Sequence, residues 1–417
     1  MGRINVDDLQ TGMVLSEDLL GPHGRFLLPG GTVLDAGHLR VLKTWGVTEA
    51  SIEGVTRAEA EAEAEARLDP ALLERAREHA EAMFMAADDA EEPMAEIRRL
   101  AVMRLARRMA DGWSPHADLP DPETMACETG PLPTADELAG EEAALSTFPD
   151  IYHRILEALR SPTSSARHVA KVVGMDASLS ARLLRLVNSP FYGFPSRIET
   201  IDRAVAIVGM NEVTTLAMGL SLVRRFKDLP AACLDMKEFW KHCIACGILA
   251  RLLSGQKVGL SEERHFVAGL LHDLGRLIII KRLPAACARS MRLSVSKGVP
   301  LYEAEREVLG YDHAQVGSRL FAKWRLPASL VTAVGRHHSP PLADRPDNNA
   351  PDAAIIQLAD TLAIALGMGT SGSLLVPAMR AETWQSLDLP LGALATCARQ
   401  AERQVGEIVH AFLGENP

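Results

Sequence analysis

Apolar and polar positions divide the chain into a short stretch with strand-like patterning and a long stretch with helical patterning. Near the start, short apolar runs at 11–15 and 24–34 are separated by glycine turns, which predicts strands. The segment 38–47 has helical spacing and is closed by Gly46, and residues 50–53 fit a last strand. This pattern indicates a small β-rich module over residues 1–55.

The next part of the chain is polar and favours helix. Residues 58–66 alternate Ala and Glu, which gives high helix propensity without an apolar face and is typical of a solvated helix. Residues 72–109 are amphipathic and predict a helical hairpin or a dimerising helix. Residues 111–142 are rich in Pro, Gly and acidic residues, which indicates a loose linker. We therefore interpret 56–142 as an acidic helical arm and linker.

The remainder of the chain shows apolar residues at helical spacing in one segment after another. Strand signals are scarce there, so the predicted fold class is mainly α, with a helical domain preceded by the β-rich module and the arm. The predicted helices cover 151–159, 164–173, 179–187, 201–208, 213–226, 236–253, 262–281 and 301–324.

The charge of the chain is unevenly distributed, which changes the meaning of its formal total of -10. Residues 53–150 hold 9 basic and 24 acidic side chains, whereas residues 151–417 hold 31 and 24. The arm therefore carries the negative charge, and the helical body is net positive. Such a body is compatible with an anionic ligand. Nucleic acid is not expected as a partner, because the basic pairs 224–225 and 281–282 are small and no aromatic-basic stripe accompanies them.

The apolar runs are too short to cross a membrane, and the first residues lack an apolar signal core. The six cysteines are scattered and do not form a disulfide framework. We therefore expect a cytoplasmic protein with reduced thiols. Cys243 and Cys246 form an isolated CxxC pair in a helical segment, which indicates either packing or a thiol near a metal site.

An adjacent His272-Asp273 pair is the strongest local signal of chemistry. It ends an apolar helical segment and is followed by Gly275 and Arg276. Neighbouring side chains can reach one metal ion when the helix end abuts it, and a carboxylate can bridge to a second ion. Neutral imidazole and carboxylate suit divalent zinc, manganese, iron or magnesium.

Other polar residues recur at the ends or on the apolar faces of predicted helices. A single histidine on an apolar face is more often a hydrogen-bonded core residue than a ligand, and Asp360 alone could pair with an arginine. Glu238 lies one helical turn before His242 and is a possible additional ligand. The candidate metal ligands are His242, His272, Asp273, His313, His337, His338 and Asp360.

Taken in order, these residues resemble the pattern of the HD superfamily of metal-dependent phosphohydrolases, namely His, then His-Asp, then a distant Asp. More narrowly, the chain resembles the HDOD domain, the HD-related output domain of bacterial signalling proteins. The resemblance rests on the segments 176–193 and 198–209, on Gly269 to Asp273, and on the later histidines. It implies an HDOD domain at 143–345 and a C-terminal helical extension at 346–417 that completes the core.

Two departures separate this sequence from the related HD-GYP class, which degrades cyclic di-GMP. The paired His337-His338 is followed by Ser339-Pro340-Pro341 rather than by a loop containing Gly-Tyr-Pro. Arg276 also occupies a position where that class commonly has Lys, and the two cations are not interchangeable.

Two hypotheses about function follow. The first is a non-enzymatic or weakly enzymatic signal-transduction output or scaffold protein that acts through signalling partners, with a divalent metal ion as a possible ligand. In this hypothesis the N-terminal module and the arm supply input or dimerisation. The second is a metal-dependent phosphohydrolase acting on a phosphate-containing small ligand. In the second hypothesis Asp273 and Arg276 are the catalytic residues, the metal activates a water molecule, and Arg276 holds a phosphate oxygen.

Overall fold

The computed structural model describes residues 2–413 with gaps. The gaps are 7–8, 21–25, 45–46, 48, 55–58, 60–61, 63–64, 67, 88–90, 115–118, 126–130, 146–153, 156, 158–164, 190–191, 195, 227–232, 258 and 341–349. Gly46, most of the predicted helix 151–159 and much of the Ala-Glu run lie outside the described residues. Among the described helices, none combines the length and the apolar character that a membrane crossing requires.

The chain forms two compact units. The first contains Met1–His79 and Val102–Pro115, and the second contains Ala80–Ala101 and His116–Pro417. The predicted domain limits at 55, 142 and 345 stay predictions.

The first unit is built around two small antiparallel strand pairs. Strand β1 (Gly2–Asn5) pairs with β4 (Glu49–Ile52), and β2 (Leu19–Leu20) pairs with β3 (Phe26–Leu28). Helix α1 (Ala36–Thr44) lies between β3 and β4 in sequence. Apolar side chains from these elements are buried together in one core, which includes Ile4, Leu15, Leu34, Leu42 and Ile52. The small β-rich module is thus confirmed, although β1 carries no clear strand signal in the sequence.

The predicted mainly α fold is confirmed by the remaining elements, which are helices. Two of them, α2 (Pro70–Met83) and α3 (Glu92–Ala110), form the amphipathic arm. They are followed by a short 3-10 turn at Pro122–Thr124. The further helices are α4 (Ala135–Leu145), α5 (Ala166–Gly174), α6 (Ala177–Val187), α7 (Ile201–Val208), α8 (Met210–Phe226), α9 (Met236–Ser254), α10 (Glu262–Leu271), α11 (Leu274–Arg282), α12 (Pro284–Lys297), α13 (Leu301–Leu309), α14 (His313–Lys323), α15 (Ala328–Arg336), α16 (Ala350–Ala365), α17 (Ala381–Leu387) and α18 (Gly392–Leu413).

Two long predicted helices are each broken in the structure. The segment 262–281 is interrupted at His272 and Asp273, where Asp273 has a non-helical backbone between α10 and α11. The segment 301–324 is interrupted at Gly310, whose positive φ of 84° ends α13. Asp312 then caps α14 by accepting a hydrogen bond from the backbone N–H of Gln315. Apolar periodicity continues through both breaks and therefore does not reveal them.

The prediction of a loose linker over 111–142 is wrong for its last part. Residues 135–145 form α4, whose Leu138 and Ala139 are buried. Glu142 is also buried, and its carboxylate pairs with Lys281 on α11 at 2.9 Å. Acidic composition suggested solvent exposure, but this carboxylate is desolvated against a matching cation.

Glycine contacts set the distance between α9 and α10. A Cβ atom on Gly269 would lie 2.8 Å from the backbone of Cys246 and Gly247, and one on Gly247 would lie 2.7 Å from the carbonyl oxygen of Phe266. Real Cβ atoms do not approach this closely, so only hydrogen fits between the two backbones. This close approach brings His242 on α9 next to His272 at the end of α10.

We expect Gly269→Ala to destabilise the protein by about 1–3 kcal/mol, because the added methyl group forces two helix backbones apart. Gly406→Ala is the matched control. Gly406 is also helical, but a Cβ there meets nothing within 4 Å, so we expect a gain of about 0.5–1 kcal/mol from helix propensity. Urea unfolding of both variants checks this, and equal effects at the two sites would contradict the close-packing argument.

Candidate metal centre

Four helix ends and two helix interiors supply the polar side chains at the centre of the second unit. His242 lies in α9 and Asp360 in α16, while His272 and Asp273 occupy the break between α10 and α11. His313 is the first residue of α14, and His337 and His338 follow α15. Six of these seven side chains are almost fully buried, and His338 is partly exposed.

The structure brings the predicted ligands together in two adjoining groups. In the first group, His242 Nε2 lies 3.1 Å from Asp360 Oδ1, and His272 Nε2 lies 3.3 Å from Asp273 Oδ2. His272 Nε2 is also 3.5 Å from Asp360 Oδ1. Ligand atoms of His242, His272 and Asp273 all lie within 4.8 Å of one another, as do those of His272, His337 and Asp360.

The second group contains three imidazoles. Ligand atoms of His313, His337 and His338 lie within 4.8 Å of one another. His313 Nε2 is 2.8 Å from His338 Nε2 and 2.9 Å from Asp273 Oδ1. The two carboxylate oxygens of Asp273 therefore face different groups, with Oδ2 toward His272 and Oδ1 toward His313.

Asp273 is free to take this position because it does not cap the helix that follows it. It occupies the N-cap position of α11, where an aspartate commonly accepts a backbone N–H bond, but it makes no side-chain cap bond. Burial would raise the pKa of this carboxyl, but Arg276 and the imidazoles of His272 and His313 outweigh burial and hold it well below its usual range. The carboxylate is therefore ionised and directed into the centre.

Backbone carbonyls orient two of the imidazoles. His272 Nδ1 lies 2.7 Å from the carbonyl oxygen of Gly269, and His337 Nδ1 lies 2.7 Å from that of Val334. A carbonyl can only accept, so both rings carry a proton on Nδ1 and direct Nε2 toward the other candidate ligands. Second-shell bonds of this kind are characteristic of metal-ligating histidines.

Several buried polar atoms in this centre lack a hydrogen bond. They include Nε2 of His242, His272 and His337 and Oδ1 of Asp360. Burial lowers the pKa of His337 to about 3, so this imidazole is neutral and can donate a lone pair. Buried polar atoms without partners are costly. Atoms that converge from four elements on one point fit a divalent cation, which would satisfy them together.

Arg276 is placed differently from the prediction that it holds a phosphate. Its side chain is buried, and Nη1 donates to the carbonyl oxygen and hydroxyl of Ser371 at 2.8 and 3.1 Å and to the hydroxyl of Ser373 at 3.1 Å. Nη2 lies 2.9 Å from His313 Nδ1, and Nε lies 3.5 Å from Glu305 Oε1. The guanidinium thus packs behind the ligands and is already surrounded by acceptors.

Glu238 and the CxxC cysteines also have clear positions. The Glu238 carboxylate is 39% exposed and pairs with Lys241, so the structure places it outside the cluster. Both cysteines are buried on α9, and burial raises the pKa of each thiol above its ordinary value. Both thiols are therefore neutral.

Glu305 belongs to the centre although the sequence analysis did not single it out. It is buried on α13, and its Oε2 accepts hydrogen bonds from His313 Nδ1 at 2.5 Å and from the backbone N–H of His313 at 2.9 Å. Burial and Arg276 lower the pKa of His313, but Glu305 and Asp273 outweigh them and raise it to about 9. A carboxylate on the apolar face of α13, between Leu301 and Leu309, was the available signal.

The partly exposed edge of the centre is formed by His338. Its ring stacks on Tyr302 with a centroid distance of 4.2 Å. Arg306 lies over the same tyrosine at 5.1 Å from the ring centroid. Arg306 also pairs with Asp312, with Nη2 2.6 Å from Oδ2, so this edge combines an aromatic face with an ion pair.

Comparison with known proteins identifies the helical part of the chain. A model of the HDOD domain matches residues 145–340. A curated relative, an uncharacterised protein of Treponema pallidum (strain Nichols), is 22% identical over 225 residues, which is 53% of this chain and 43% of the relative. The match thus spans less than half the length of that relative.

Solved structures share the same fold. An HDOD domain protein of unknown function from Geobacter sulfurreducens is 23% identical with a TM-score of 0.51, and the match covers 67% of this chain and 97% of that one. A protein from Shewanella amazonensis SB2B, provisionally titled a phosphohydrolase, is 23% identical with a TM-score of 0.50 and coverages of 66% and 97%. At these identities the likeness shows the fold. Asp360, Ser371 and Ser373 lie beyond the residues that the family model matches.

Proposed function

Since residues 145–340 of this chain are an HDOD domain, we propose that the protein is a signal-transduction protein that holds a divalent metal ion in this domain and acts through protein partners. One observation carries the metal part of the proposal. Unpartnered imidazole nitrogens of His242, His272 and His337 converge with the carboxylates of Asp273 and Asp360 in a buried centre. The predicted dimer through the arm stays a prediction.

The donor atoms favour a transition metal ion. His242, His272, Asp273 and Asp360 would hold it, and His313, His337 and His338 would complete a second group that shares Asp273. Imidazole nitrogen suits zinc, iron and manganese, whereas magnesium prefers sites composed of oxygen ligands. The bound ion would supply positive charge and Lewis acidity. The chain's own contribution is to orient the imidazoles through Gly269, Val334 and Glu305.

The position of Arg276 supports a binding role for the ion over turnover. The second hypothesis gives Arg276 the role of holding a phosphate oxygen, but this guanidinium is buried and bonded to Ser371 and Ser373. The metal would then tie α9, α10 and α16 together and make the shape of the domain dependent on its occupancy. A surface whose shape depends on a bound ion is suited to presenting a signal to a partner protein.

A groove at one edge of the domain is a surface on which such a partner can dock. It has a volume of about 960 Å³ and lies between the end of α6, the segment that follows it and α18. Its wall includes the exposed side chains of Arg185, Arg197, Glu199 and Glu407. Tyr192 packs inward against Phe194 and Arg251, so its role is architectural. The groove therefore carries charges of both signs, and it would favour a partner whose charges complement that arrangement.

Metal-dependent phosphohydrolase activity is the second candidate function. The observation that favours it is the placement of Asp273, whose two oxygens face separate groups of imidazoles. A carboxylate between two groups can bridge two cations, and two cations can stabilise both the attacking and the leaving oxygen of a phosphoester. The edge with Tyr302 and Arg306 would then be the approach for an anionic substrate.

A paired measurement on the full chain tests the proposal against this alternative. Free manganese or zinc at about 100 times its Kd should stabilise the protein by about 2.7 kcal/mol, which for a chain of this length is a rise in melting temperature of about 3 °C. The wild-type chain should hydrolyse cyclic di-GMP and bis-p-nitrophenyl phosphate no faster than His272→Ala does. Turnover that requires metal and is abolished by His272→Ala would instead establish the phosphohydrolase.

A further inference from the structure

Two cysteines outside the metal centre lie close together although 53 residues separate them in the sequence. Cys233 precedes α9, and Cys287 lies in the first turn of α12. Both are buried in the same apolar core, and each thiol shifts the pKa of the other. Cys233 Sγ also lies 3.5 Å from the carbonyl oxygen of Pro284 and 3.5 Å from Met125 Sδ. Both cysteines are free thiols in the structure.

The two thiols differ in accessibility and in acidity. Cys233 is 9% exposed and Cys287 is 3% exposed, while Cys243, Cys246 and Cys397 are at most 1% exposed. The Cys287 thiol lowers the pKa of Cys233 against the opposing effect of burial. The Cys233 thiol, together with burial, raises the pKa of Cys287 well above its ordinary value. Thiolate character and exposure select the cysteine that an oxidant attacks, and both favour Cys233.

We propose that Cys233 and Cys287 are a redox modification site, in which a hydroperoxide oxidises Cys233 and Cys287 resolves the product into a disulfide. In the first step the Cys233 thiolate attacks a peroxide oxygen, so that an S–O bond forms and the O–O bond breaks. In the second step the Cys287 thiol attacks this sulfenic sulfur, an S–S bond forms and water leaves. In sum, two thiols are oxidised and one hydrogen peroxide is reduced to two water molecules.

The position of the pair links it to the metal-bearing helices. Cys233 lies two residues before Asp235, which caps α9 by accepting hydrogen bonds from the backbone N–H groups of Lys237 and Glu238. Cys287 is close enough to Arg276 for their charges to interact. A disulfide would therefore fix the start of α9, the helix that bears His242, against α12. Oxidation would give the signalling protein a redox input that is separate from metal occupancy.

Hydrogen peroxide titration of the reduced full chain, followed by non-reducing digestion and mass spectrometry, tests the proposal. The expected result is a loss of two thiols per chain and a cross-linked peptide pair containing Cys233 and Cys287, both reversed by dithiothreitol. In Cys233→Ser, hydrogen peroxide should no longer cause the loss of two thiols. Cys127→Ser is the matched control and should leave the cross-link unchanged, since Cys127 is the other cysteine near Met125 in sequence. Peptide mapping of the wild-type chain gives the answer even where a serine variant fails to fold.

Three outcomes would overturn the proposal. The first is a cross-link between Cys233 and Cys127 in place of Cys287. The second is oxidation of Cys233 to a sulfinic or sulfonic acid without loss of the Cys287 thiol. The third is loss of Cys397 or the CxxC thiols at lower peroxide concentrations than loss of Cys233. None of these measurements depends on metal binding. A result that overturns the redox proposal would therefore not contradict the proposed function.

Discussion

Asp273→Asn should weaken binding of zinc or manganese by more than about 100-fold, which exceeds the effect of removing an outer-shell partner. The substitution keeps the size of the side chain and removes its negative charge. Because Asp273 faces both groups of imidazoles, both groups lose their shared carboxylate. Competition of the protein with a chromophoric chelator measures the affinity directly.

Two further variants make this result specific. Glu238→Gln is a matched exchange of carboxylate for amide on α9, and it should leave the affinity unchanged because its side chain pairs with Lys241 outside the cluster. Asp360→Asn should weaken binding as Asp273→Asn does, and Asp360 makes no ion pair with Arg276 among the described contacts. If Asp273→Asn and Asp360→Asn bound the metal as tightly as the wild-type chain does, the proposed ligands would be wrong.

Arg276→Met should destabilise the protein by about 3–5 kcal/mol, which is the usual cost of leaving buried charges without their partner. Arg276 is 2% exposed, and it lies beside the buried carboxylates of Glu305 and Asp273 at 3.5 and 3.9 Å. Methionine is similar in length but removes the guanidinium charge from both carboxylates, which leaves only imidazoles beside them. It also leaves Ser371 and Ser373 without their donor. The free energy of unfolding in urea, with and without metal, measures the effect.

Arg185→Met is the control for this substitution, because Arg185 is exposed on a helix of the same unit and the expected change is within about 0.5 kcal/mol. The experiment also separates the two roles considered for Arg276. If Arg276→Met were as stable as the wild-type chain but lost affinity for inorganic phosphate, the guanidinium would be a phosphate-holding group and the structural role would be wrong.

The order of the histidines and aspartates carried most of what the sequence could predict about the centre. His242, His272 and Asp273 lie on predicted helices, and the resemblance to the HD superfamily implied that they belong to one set with a distant aspartate, without showing that they converge. Helical periodicity alone could not place them on one point, because periodicity describes the faces of a helix and not how helices pack. The glycine contacts between α9 and α10 supply that information.

The supporting residues of the centre give weak signals in the sequence. Glu305 reads as one acidic residue in a charged helix, and Ser371 and Ser373 belong to a segment rich in glycine and serine. Their roles appear only when tertiary contacts place them around Arg276 and His313. Similarly, α4 resembles a linker in composition, and its folding into a helix depends on burial of Leu138 and Glu142. Glu238 shows the reverse error, since helical spacing relative to His242 did not direct its side chain inward.

Anomalous X-ray diffraction at the metal absorption edge, from crystals of the full chain loaded with manganese or zinc, tests the central claim most directly. The prediction is an anomalous peak between His242, His272, Asp273 and Asp360, at the ~2.0–2.2 Å from nitrogen and oxygen ligands that zinc sites show. The peak should be absent from crystals of Asp273→Asn grown in the same way. A loaded crystal with no peak among these residues, or with its peak only at surface carboxylates, would contradict the account.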